Sequence, residues 1–173
     1  MSKELQTLAQ GENFKAVNAG PWAEIAQYVT GPFQGKVFLK EALGTTGSEI
    51  SFGAMPEGAA VPFFHTHKEN EEVYIVLQGR GQMQIDGEVF DIKEGSVVRV
   101  SPKGVRNIKA GKGGLVFMCM QAKAGSLREW TGEDGQSAEA QAKWKEIRLF
   151  IPPASKRGFL GRANQTEIYI PSL

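Results

Sequence analysis

GAAVPFFHTHKENEEVYIVLQGRGQMQIDGEVFDIKEGSVVRVSPKGVRN, residues 58–107, is the stretch whose reading decides the fold. It holds both histidines of the chain, His65 and His67, one residue apart. On an extended segment, side chains at i and i+2 share a face, so the two imidazoles project together. A carboxylate from the following segment, Glu72, would complete three donors around one divalent ion, a set of neutral nitrogens and one oxygen that suits a borderline metal. Glu72 is preferred over Glu71 because it alternates with Tyr74 and Val76, which would then also face inward. Glu71 is assigned to solvent.

Working outward, residues 36–123 read as short strands separated by Gly, Asp-Gly and Pro-containing turns: KVFLKEAL, SEISFGAM, FFHTH, EVYIVLQ, GQMQID, EVFDIK, SVVRVS, RNIKA and LVFMCMQA. This even spacing predicts an all-β sandwich or barrel. Asp86-Gly87, flanked by alternating Met83, Ile85 and Val89, predicts a tight two-residue hairpin.

The spacing Gly58, His65-x-His67, Glu72, Gly79 resembles the first cupin motif, with one residue more than usual between the first glycine and the histidines. From His65 to Gly111 the chain is similar to a group of small single-domain bacterial cupins. The resemblance implies an all-β double-stranded β-helix, the cupin jelly roll, for the barrel (36–125); outside it, the residue pattern adds a short N-terminal arm (1–35) and a C-terminal helical extension (126–173). The resemblance also implies a homodimer and a divalent transition metal, Fe, Mn, Ni or Zn, on His65, His67 and Glu72.

The second cupin motif ends on a histidine that supplies a fourth ligand, and here GSVVRVSPKGVRN has none. Counting from Pro102-Lys103-Gly104 puts Asn107 in that place; counting from Gly95 puts Arg106 there. Asn107 would offer an amide oxygen to the metal or to its water. Arg106 would instead favour an anionic ligand group. The resembling group has an arginine at this point, which favours Arg106. Tyr74 and Phe63 join Arg106 as candidates for contacting the ligand, and no catalytic residue is assigned.

The remaining sequence sets bounds. With 20 Lys+Arg against 19 Asp+Glu, the formal charge is +1, so no broad basic surface invites nucleic acid. The start lacks a secretory apolar core, and no run of about 18 apolar residues would span a membrane. The single cysteine, Cys119, lies in LVFMCM and reads as a buried small hydrophobe, in keeping with a cytoplasmic setting. PWAEIAQYV predicts a short helix covering one end of the barrel, and SAEAQAKWKEI a second one capped by Ser137. In the tail, Arg148, Lys156, Arg157 and Arg162 suggest a solvated segment, and Ile168-Tyr169-Ile170 a strand for edge pairing.

Two functions fit. One is a metal-dependent enzyme acting on a small anionic or phenolic molecule by dioxygenase- or decarboxylase-like chemistry. The other is a non-enzymatic small-ligand-binding or sensing module, with or without metal, whose C-terminal extension meets a partner. An epimerase-like reading ranks last, because both histidines are already used by the first motif.

Overall fold

A computed structural model of the chain describes residues 3–129 and 131–145. Two units divide the sequence, Met1–Asp134 and Gly135–Leu173. In the first, β1 (Gln6–Gly11) and β2 (Phe14–Asn18) form a hairpin, followed by a 3₁₀ turn at Trp22–Gln27 and the short pair β3 (Val29–Thr30) and β4 (Phe33–Gln34). Then come β5 (Lys36–Phe38), the helical turn α1 (Lys40–Leu43), β6 (Ser48–Met55), β7 (Asn70–Ile85), β8 (Glu88–Lys93), β9 (Val97–Val100), β10 (Arg106–Lys123) and the turn α2 (Thr131–Asp134).

The main sheet runs β5-β6-β10-β7-β8, with β9 also pairing β7. EVYIVLQ and GQMQID are one strand, not two, and so are RNIKA and LVFMCMQA. β7 carries β9 on Glu72–Ile75 and β8 on Arg80–Ile85, while β10 pairs along both halves. The two halves meet at Gly79, where φ is 85° and the backbone of Gly114 lies against the Cα, so a side chain is excluded both by conformation and by space.

The Asp86-Gly87 hairpin forms as the sequence predicts, with φ of 52° and 90° and Ile85 opposite Glu88. Other expectations change. KVFLKEAL is a strand only through Phe38. Glu49 Oε1 then accepts hydrogen bonds from the Leu39 and Lys40 amides, caps a helical turn, and Gly44 closes it in the left-handed region. FFHTH is not a strand: Pro62 offers no amide, and only His65 bridges, to Arg106. The helix expected from Ser137 is absent over 137–145, a stretch too short to hold helix without packing; 146 and 147 lie outside the described residues, as do the basic tail and Ile168–Ile170.

Two cores result. Inside the barrel, Tyr74, Val76, Met83, Ile92, Val100, Ile108, Leu115, Phe117 and Cys119 pack together. On the outer face of β5 and β6, the N-terminal segment adds a second core from Ile25, Tyr28, Val37 and Leu39, with Ile50 and Phe52 against it. The 3₁₀ turn therefore covers a sheet face through Ile25, where the sequence predicted a helix over a barrel end. Alternation explains the arrangement: Val37 faces outward, Lys36 and Phe38 the other way.

Candidate metal centre

Strand β7 positions the acidic member. Glu72 alternates with Tyr74 and Val76 on the inner face, all three buried, as the period-two pattern predicts. The histidines arrive from the loop before β7 and are held by backbone bonds to the entry of β10. His65 exchanges two with Arg106, at 3.3 and 3.2 Å, and the His67 amide donates to the Pro102 carbonyl at 2.8 Å. The imidazole centroids stand 5.4 Å apart, nearly perpendicular.

Donor atoms of His65, His67 and Glu72 all lie within 4.8 Å of one another. His67 Nε2 is 3.1 Å from Glu72 Oε1, and His65 Nε2 is 3.9 Å from Oε2. Glu72 is 2% exposed, whereas the His65 and His67 side chains keep 31% and 25%, so the site is open on its imidazole side. His65 Nδ1 and His67 Nε2 are buried atoms without a hydrogen-bond partner; the His67 contact with Glu72 lacks hydrogen-bond geometry. Two imidazoles, each with an unsatisfied nitrogen, converging on one carboxylate form a donor set that fits a divalent transition ion.

Electrostatics hold His65 and Glu72 in the protonation states that a metal requires. Burial and then the Arg106 charge lower the His65 pKa, outweighing the opposite pull of Glu72, which favours the neutral ring. For Glu72, burial resists ionisation, but hydrogen bonds from Tyr74 and Arg106 and the Arg106 charge prevail and hold the carboxyl below its ordinary range. Burial first, then nearby charge, raises the Tyr74 hydroxyl and pushes the Cys119 thiol up to about 12, so both remain protonated donors.

The two counting frames from the sequence separate here. Arg106, 1% exposed, turns inward: its Nε donates to Glu72 Oε2 at 2.8 Å, and its Nη1 donates to the Gly104 carbonyl at 3.0 Å. This guanidinium is committed to Glu72 rather than left for an anionic ligand. Asn107, the next residue of β10, is not beside the histidine rings. Its Nδ2 donates to the Val61 and Phe63 carbonyls at 2.8 and 3.0 Å, which straps the histidine loop to the strand. Fourth-ligand duty for Asn107 is therefore replaced by a structural one, because alternation along β10 sends neighbours to opposite faces.

Tyr74 donates to Glu72 Oε2 at 2.8 Å, and its ring leans on Phe117 at 5.9 Å. Phe63 is half exposed, with its ring edge-on to His65 at 5.8 Å, and so flanks the open side. Sequence reasoning missed Cys119 at this site: its thiol donates to Glu72 Oε1 at 3.4 Å. The ladder that sets Cys119 opposite Tyr74 was not visible before the β7–β10 register.

A family model described as a cupin domain matches residues 51–120. The crystal structure of a cupin protein from Bacteroides fragilis is 41% identical, with a TM-score of 0.58, and the match covers 64% of this chain and 93% of that one. The chain belongs to the cupin family. An uncharacterized protein of Methanocaldococcus jannaschii, MJ1618, is 38% identical to this cupin over 56 residues, 32% of the present chain and 45% of the relative. The cupin thus spans less than half the length of that curated relative. Its fold is the double-stranded β-helix jelly roll that the resemblance implied, within the all-β class that the strand spacing predicted. Among the described residues, no helix is long and apolar enough to cross a membrane.

Proposed function

We propose that this cupin holds a divalent transition ion, Fe, Mn, Ni or Zn, on His65, His67 and Glu72 and binds or transforms a small anionic or phenolic molecule there. The observation that carries this reading is the convergence of His65, His67 and Glu72 donor atoms within 4.8 Å of one another, with His67 Nε2 buried, unpartnered and 3.1 Å from Glu72 Oε1. A bound ion supplies a Lewis acid with coordination positions left for water or ligand. Around it, Arg106 and Tyr74 fix Oε2 and leave Oε1 on the His67 side. Dioxygenase- or decarboxylase-like chemistry is compatible with three such donors. A homodimer and a cytoplasmic setting belong to the same reading.

The test is metal content. Protein from metal-supplemented cells should carry close to one ion per chain, and a His65→Ala, His67→Ala double variant should carry almost none. Equal and negligible metal in both overturns the reading.

A second reading, a metal-free ligand-binding module, draws support from the completeness of the Glu72 shell. Tyr74, Arg106 and Cys119 satisfy this carboxylate without any ion. Empty wild-type protein in the metal assay would favour it.

A further inference from the structure

With Arg106 committed to Glu72, the barrel contains a second cation, Lys36, that closes no ion pair among the described residues. Lys36 opens β5, and the registers run Lys36, Gly53, Phe117, Val76 across four neighbouring strands. Gly53, Phe117 and Val76 are buried on the inner face, so Lys36 belongs to an inward row. Its Nζ stands 5.2 Å from the Phe117 ring centroid and 5.4 Å from that of Phe38. Phe117 leads on to Tyr74 and, through the Tyr74 hydroxyl, to Glu72.

Glycine at 53 makes this row possible. A Cβ there would come within 2.5 Å of Phe117 Cζ, so the ring fills the space that a side chain would take and presents its face to the ammonium. Among the described residues, Lys36 Nζ has no hydrogen bond or ion pair, only these aromatic faces. Partly buried lysines ordinarily take a carboxylate partner, and cation–π contacts only partly replace it. Glu72 is taken by Arg106, and the nearby Glu49 attracts Lys36 without closing an ion pair, so the Lys36 charge keeps no direct carboxylate partner. That charge is near enough to act on Cys119, Glu72 and His65.

We propose that Lys36 is the anion-holding group of the barrel interior. A small ligand sets a carboxylate on the Lys36 ammonium and turns its other end toward His65, His67 and Glu72. This rests on the small-ligand reading above and adds to it the residue that selects a charged ligand over a neutral one. The N-terminal segment thereby gains a role at the site, because β5 brings the cation and the core around Ile25 fixes β5 through Val37.

The probes are malonate and its uncharged analogue malonamide, titrated into full-length protein, both stripped of metal and loaded with Zn²⁺. With ¹³C-labelled lysine, millimolar malonate should move the Lys36 signal and malonamide should not. Lys36→Met should weaken malonate binding by about tenfold or more, and Lys36→Arg should stay within about threefold of wild type. An unmoved Lys36 signal, equal binding of malonamide, or Lys36→Met affinity within about twofold of wild type overturns the proposal. The wild-type signal needs no variant, so an unfolded Lys36→Met protein does not protect the idea. Zn²⁺ uptake, measured separately, distinguishes the two failures. Malonate bound through Lys36 without Zn²⁺ uptake sinks the metal reading alone, and normal Zn²⁺ uptake with malonate indifferent to Lys36 sinks this one alone.

Discussion

Arg106 brings two nitrogens to a single oxygen of Glu72. Nε donates to Oε2 at 2.8 Å, and Nη2 lies 2.7 Å from the same atom, off the hydrogen-bond direction. Both residues are buried, at 1% and 2% exposure. The pair therefore acts as a positioning device, in which one carboxylate oxygen is anchored and the other is presented to His67.

Removing the guanidinium strands a buried carboxylate. Arg106→Met should cost about 3–5 kcal/mol in chemical denaturation, because the loss of one partner leaves an uncompensated charge. Combining it with Glu72→Gln should recover part of that loss. A double variant no more stable than Arg106→Met would show that the ion pair is not the source.

Asn107 offers a sharper discrimination, since a ligand and a strap respond oppositely to one substitution. Asn107→Asp replaces the donating Nδ2 by an acceptor facing the Val61 and Phe63 carbonyls. The strap predicts a loss of roughly 1–3 kcal/mol and weaker metal uptake, read by melting and by Zn²⁺ titration. A coordinating side chain would instead bind the ion more tightly as the aspartate.

Acid should loosen the metal-free protein in two stages. The His65 pKa is lowered in the folded state, so below the ordinary value of 6.5 the unfolded chain binds the extra proton and stability falls. The Glu72 pKa is also lowered, so its contribution is whole above 4.5 and disappears as pH drops through the folded value. Melting temperatures taken from pH 7 downward should decline throughout, and His65→Gln should flatten the upper stage. A wild-type midpoint that holds or rises from 6.5 to 4.5 contradicts the His65 assignment, and one that holds as pH drops further contradicts the Glu72 assignment.

Cys119 should be nearly inert. With its pKa pushed up to about 12 by burial and by Glu72, and with 1% exposure, its thiolate fraction at pH 8 is smaller by roughly a thousandfold than that of a thiol at 9.0. Disulfide reagents at pH 8 should react only on unfolding, and rapid labelling of the native protein would refute the buried donor.

Gly53→Ala tests the inner row. The new methyl meets the Phe117 ring at 2.5 Å, and overpacking of this kind costs about 1–3 kcal/mol in unfolding experiments. An unchanged midpoint would mean that Phe117 moves aside freely.

Much of the barrel was legible because its signals are local. Asp86-Gly87 needs only positive φ at adjacent residues, and the alternation of Glu72, Tyr74 and Val76 needs only one buried face. The β1–β2 hairpin escaped notice because its strands are largely exposed, without an apolar alternation, and its turn, Glu12-Asn13, has no glycine. Arg106 and Asn107 could not be separated by counting, since the length of the turn before β10 sets which one faces inward. Lys36 was hidden for another reason. A lysine at a strand start reads as solvent-facing, and only the β5–β6–β10 register reveals the row it joins.

The backbone bonds joining His65 to Arg106 also prescribe an order of assembly. They span 41 positions of chain, so closing that loop before the sheet exists carries an entropic cost with little return. β10 must first zip along β7, and only then does the loop from Val61 to His67 gain its anchors at Arg106, Asn107 and Pro102. The imidazoles should thus be late arrivals in folding and early departures in partial opening, with the His65 and His67 amides exchanging hydrogen ahead of those in the β7–β10 ladder.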